Sequence, residues 1–114
     1  MPQNRKRLIE LFIGNLSNAI VHQICLEATD KKEIAFKYKK ELETSLSISK
    51  EYREKINPKN YSLPEKDVEY IKIQVSNKVI SELEKRISQG YKNIDLNSVK
   101  EFVDEALKGT EIIQ

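Results

Sequence analysis

The stretch LIELFIGNLSNAIVHQICLEA, residues 8–28, decides the fold. Ile9, Ile13, Leu16, Ile20 and Ile24 recur at intervals of four or three, the spacing that lines one face of an α-helix, with Phe12 and Ala19 flanking them. A strand would alternate at every second residue, and this segment does not. It predicts a long helix over residues 4–28. Gly14 falls inside that helix, where glycine costs about 1 kcal/mol relative to alanine and leaves room for another backbone to approach.

The neighbouring segments follow the same period. Asp30 and Glu33 have capping-box spacing, which predicts a second helix over 31–56. Its seam is Ala35, Tyr38, Leu42, Ser45, Ser49, Tyr52 and Ile56, with small serines in the middle. Asn57-Pro58-Lys59-Asn60-Tyr61 breaks the chain, because Pro58 bars helix continuation and drives Asn57 towards an extended conformation. Ser62 with Glu65 reads as a second capping box, and Pro64 suits a first helical turn, so a third helix is expected over 63–89. Val68, Ile71, Val75, Val79, Leu83 and Ile87 form its stripe, and Ile73 and Ile80 are expected to widen it. Its β-branched content would suit a strand, but the period is 3.6. Gly90 is expected to cap this helix, and Asp95 to open a fourth over 96–108, with Ile94 and Val99 placed as a hydrophobic staple. Leu96, Val99, Phe102, Val103, Ala106 and Leu107 give the fourth helix its apolar side, Gly109 its stop, and Ile112 and Ile113 should pack beyond it. The expected fold is all-α. It is a four-helix, mostly antiparallel bundle in a single domain, 1–114, with two long N-terminal helices and a shorter C-terminal one.

Composition narrows the function classes. Eleven basic and eight acidic residues precede Asn57, and nine and ten follow it. The halves therefore carry about +3 and −1, too weak an asymmetry to demand a polyanionic partner. Cys25 is alone, so no intramolecular disulfide can form, and a reduced, cytoplasmic setting is expected. The uncharged run Leu11–Leu26 contains Asn15, Ser17, Asn18, His22 and Gln23, which makes it short and polar for a membrane span. Arg5, Lys6 and Arg7 ahead of it resemble the start of a signal peptide, but Glu10 interrupts the apolar stretch and no small-x-small cleavage site follows.

The chemistry-bearing residues are few. His22 and Cys25 lie three apart on one helix face, yet a thiol nucleophile needs an electropositive surrounding, and Cys25 comes late in its helix. A structural zinc needs four ligands, which only a symmetric dimer sharing His22 and Cys25 would supply. A di-iron bundle needs Glu-x-x-His, and Ala19 stands where that Glu would be. No glycine pattern cradles a phosphate. The pairs Asp67 with Glu69 and Asp104 with Glu105 read as solvated helix faces. The expectation is therefore no catalytic residue, no cofactor and no metal. The fourth helix is net acidic through Glu101, Asp104 and Glu105, which argues against a helix-turn-helix recognition role. If nucleic acid is bound at all, Arg5, Lys6, Arg7, Lys37, Lys39 and Lys40 are the residues to contact it.

One face asks for a partner. Opposite the apolar stripe of the first helix stand Leu11, Asn15, Asn18, His22 and Cys25, with no ionised side chain between Glu10 and Glu27. In a chain that is 33% charged, a solvated face would carry Lys or Glu. Uncharged Asn and His beside Leu and Cys resemble the polar positions of helix–helix seams. Either the rest of the chain surrounds this helix, or the face meets another protomer or another protein, with Asn15 and Asn18 hydrogen-bonded across the contact. Association is the function expected first, most simply as a homodimer; accessory nucleic-acid binding is the alternative.

Overall fold

The computed structural model describes residues 4–57 and 62–113, and the proline break at 58–61 lies outside the described residues. Four α-helices account for almost all of it: α1 Arg5–Ala28, α2 Lys32–Ile56, α3 Glu65–Ser88 and α4 Val99–Gly109, with a single 3-10 turn at Leu96–Ser98. The fold is an all-α bundle.

Helices α1 and α2, joined by only residues 29–31, run antiparallel with His22 against Glu41, and Lys72 of α3 meets Asp104 of α4. Arg5–Asp67, Glu10–Tyr70 and Cys25–Arg86 keep an almost constant offset, so α1 and α3 run parallel. The arrangement departs from a square bundle. Helix α1 packs against α2, α3 and α4, most extensively against α2, whereas α2 hardly meets α3 or α4. The sequence explains the asymmetry. Helix α1 buries eleven residues, including Phe12, Ile13, Leu16 and Ile20, while α2, one residue longer, buries only Ser49, Arg53 and Ile56. Tyr38, Leu46 and Tyr52 of the α2 seam pack on the core half-buried.

Helix α1 is also long and apolar enough to cross a membrane by length and composition. The polar residues of the Leu11–Leu26 run do not bring it below that threshold. Of the most apolar window, 61% is buried inside the bundle, as in the core helix of a folded domain.

Helix ends depart from the expected caps. Asn4 accepts from the Lys6 amide at 2.8 Å and starts α1 as an N-cap should. Neither capping box forms: α2 begins from Lys31 and α3 from Pro64, both without side-chain cap bonds. In α2 the helix starts one residue too late for Asp30 to cap it, and the Thr29 hydroxyl accepts from Lys31 N–H instead, at 3.3 Å. In α3, buried Leu63 anchors the approach and Pro64 holds φ −54°, so the helix starts past the register that Ser62 requires. Asp95 does cap, accepting from Asn97 N–H at 2.9 Å, but it opens the 3-10 turn, so α4 proper begins at Val99. Gly90 ends α3 at φ 100°: the Gly90 amide bonds to the Ile87 carbonyl and the Tyr91 amide to Arg86, a Schellman ending. Helix α4 ends at Gly109 with the same motif, but Glu111, at φ 62°, and not the glycine is its left-handed residue. Ile73 does not widen the α3 stripe; it is 52% exposed, two residues off the buried face.

Candidate functional site

Helix α3 packs beside α1, and the N-terminal part of the uncharged α1 face becomes the floor of a trough along α3. Towards its N-terminal half, Leu11, Gly14, Asn15 and Asn18 face Asn77, Lys78, Ser81 and Glu82 of α3 across an open groove of about 610 Å³. Leu11 and Asn15 are half-buried and Asn18 is exposed. Asn15 does not reach across: its amide donates to the Leu11 carbonyl one turn back, at 2.8 Å. A Cβ placed on Gly14 would meet nothing within 4 Å, so the glycine leaves a dent in the floor that this chain does not fill.

The other half of the face is covered by the chain itself. His22 Nε2 lies 3.1 Å from Glu41 Oε2 of α2, and the ring stacks on Tyr38 with centroids 6.1 Å apart. Cys25 is buried, with Arg86 Nη1 at 3.8 Å from its sulfur. The Tyr38 and Tyr91 hydroxyls approach to 3.5 Å, and the Arg86 guanidinium lies over the Tyr91 ring. Leu11, Asn15, Asn18, His22 and Cys25 therefore share one helix face but belong to two surroundings, an open groove and a covered polar cluster.

The cluster was not foreseen, although a signal existed. Tyr38 belongs to the α2 seam, and Tyr91 follows the glycine that reverses the chain, where a Schellman ending folds it back over Arg86. Burial pushes the Cys25 thiol up despite the nearby guanidinium, so it is held as the neutral, unreactive form. Burial likewise pushes Tyr38 up to about 12, aided by the Tyr91 hydroxyl. A cation between His22 and Cys25 would have Arg86 beside it. Among the described residues, no three His, Cys, Asp or Glu side chains gather around one point.

His22 is held neutral. Burial lowers its pKa and outweighs the Glu41 carboxylate, which acts the other way. Its Nδ1 is buried without a hydrogen-bond partner, so protonation would strand an N–H there. Above the ordinary histidine pKa both folded and unfolded chains are neutral at this position. As the pH falls below 6.5 the unfolded chain takes up the proton first, and stability should decline until the folded pKa is passed. Urea denaturation between pH 7.5 and 5 (about the useful window) should show this decline, and His22→Gln should flatten it. An unchanged profile in the variant would assign the slope to other groups.

The basic residues do not form one surface. Lys37, Lys39 and Lys40 are exposed near the start of α2, beside the C-terminal end of α1, whereas Arg5, Lys6 and Arg7 begin α1. Most of the length of α1 separates the two groups, about 27 Å along its axis. Arg5 is also paired with Asp67 at 2.7 Å.

No family model, curated protein or solved structure matches this chain.

Proposed function

We propose that this protein is a non-catalytic helical module that works by association, with the α1 trough as the contact and a second copy of the chain as the simplest partner. The observation carrying this reading is the strip Leu11–Gly14–Asn15–Asn18, uncharged, half-buried to exposed, and left open along α3. A helix laid into the trough would approach closely at Gly14 and give Asn18, which makes no hydrogen bond among the described residues, a partner. The buried free thiol fits a reducing compartment, so we place the protein in the cytoplasm.

The test is the mass in solution. Light scattering at high micromolar concentration should give a dimer for the wild type. Asn18→Lys should weaken it at least about 10-fold, because an ammonium would be desolvated in the contact. Gly14→Leu should also weaken it by filling the dent, while raising monomer stability through better helix propensity by up to about 1 kcal/mol. A monomeric wild type, or a dimer indifferent to both changes, sinks the reading.

Accessory nucleic-acid binding keeps one supporting observation. Phe36 is 71% exposed and sits one turn from Lys32, Lys39 and Lys40 on the outer face of α2. A gel shift with single-stranded RNA in low salt that disappears in Phe36→Ala would favour that reading over association.

A further inference from the structure

Beyond the covered end of the trough lies a separate pocket. The chain reverses between α1 and α2 at residues 29–31, and the segment leaving α3 arches beside that turn. Two left-handed residues shape the arch: Gly90 at φ 100° and Asn93 at φ 66°. The Asn93 side-chain amide donates to the Ala28 carbonyl at 3.4 Å and ties the arch down. Together they border an open pocket of about 440 Å³, within the roughly 300–1,000 Å³ usual for small-molecule sites.

The walls are apolar and aromatic. Cys25 and Ala28 come from α1, Ile34 and Tyr38 from α2, and Tyr91 and Ile94 from the arch. Ile34 is 40% and Tyr91 41% exposed, so apolar area stands uncovered there. Lys31 and Lys92 stand at the mouth, and neither has a carboxylate within ion-pairing distance among the described residues. Asp30 is the single acid at the rim. The Arg86 guanidinium, behind Cys25 and over Tyr91, is paired with Glu82 at 3.5 Å, so the net charge at the pocket comes from Lys31 and Lys92. At 3.5 Å the two tyrosine hydroxyls satisfy each other poorly, so both can still bond to an oxyanion.

We propose that this pocket binds a small planar molecule carrying one carboxylate. The ring stacks against Tyr38 and Tyr91, and the carboxylate faces Lys31 and Lys92. The excess positive charge at the mouth favours an anion. Asp30 and the modest volume disfavour a polyphosphate.

The probe is indole-3-acetate, followed by amide chemical shifts of the isotope-labelled protein. Indole-3-ethanol, which keeps the ring and lacks the charge, is the control. We expect saturable shifts confined to residues 25–38 and 86–94, with sub-millimolar binding of the acid and at least about 10-fold weaker binding of the alcohol. Lys31→Glu with Lys92→Glu should abolish the preference for the acid without moving amides elsewhere, since both side chains are exposed. Tyr91→Ala should weaken both probes. Absence of saturation by about 10 mM, shifts scattered over the surface, or equal affinities for acid and alcohol would each overturn the proposal. It does not depend on self-association: Asn18→Lys, outside the pocket, should bind indole-3-acetate like the wild type.

Discussion

Phe12→Ala should lower the thermal midpoint by about 12–20 °C. The ring is fully buried on α1, the one helix that touches every other helix. Truncating a buried Phe costs about 3–5 kcal/mol, because transfer energy is lost and the cavity collapses only in part. For a domain of this size each kcal/mol is worth about 4 °C. Against a total stability of about 5–15 kcal/mol, the loss removes a large fraction. Phe12→Leu retains most of the volume and should cost about 1 kcal/mol. Thermal denaturation followed by circular dichroism measures both. A Phe12→Ala variant melting within about 3 °C of the wild type would mean that α1 is not the common core.

Arg53→Ala should cost about 2–4 kcal/mol and release the C-terminal tail. Arg53 is only 2% exposed, although it sits in a strongly charged helix. Its guanidinium donates to the Asn57 carbonyl and side chain at the end of α2, and Nη2 reaches the Glu111 carbonyl at 3.1 Å. One planar group thus ties the end of α2 to the residue that reverses the chain after α4 and lets Ile112 enter the core. Removing it leaves those part-buried acceptors without the donor, at about 1–3 kcal/mol in all, and the packing of the buried stem is lost besides. Arg53→Lys should recover little, since an ammonium cannot reproduce the two-armed geometry. Besides the melt, hydrogen exchange at Ile112 and Ile113 should accelerate far more than in the α1 core. Unchanged protection there would remove the clasp from the description.

These two residues also show how much of the molecule was legible beforehand. Phe12 followed from spacing alone: a run with apolar residues every three or four positions has one burial solution, and Ile9, Ile13, Leu16, Ile20 and Ile24 are all buried in it. Arg53 was missed because charged side chains are assigned to the surface by default. Yet Ser49, Arg53 and Ile56 are four and three apart, the same stripe, and that spacing was the available signal. Caps failed where tertiary packing shifted a helix start by one or more residues, as at Lys31 and Pro64. The missing charge on α1 singled out one face of that helix. It could not say that Asn18 would stay open while His22 and Cys25 were covered, because a one-helix pattern is silent on where the other helices stop.

The parallel run of α1 and α3 has an electrostatic consequence. Each helix carries a partial positive pole at its amino end, and parallel packing sets two such poles side by side. Helix α1 opens with Arg5, Lys6 and Arg7 and no acid in its first turn, which is the unfavourable sign for that pole. Helix α3 opens with Glu65 and Asp67, and Asp67 lies 2.7 Å from Arg5. The acids that neutralise the start of α3 thereby neutralise the start of α1 as well, so this end of the molecule holds its charge balance between helices and not within either one.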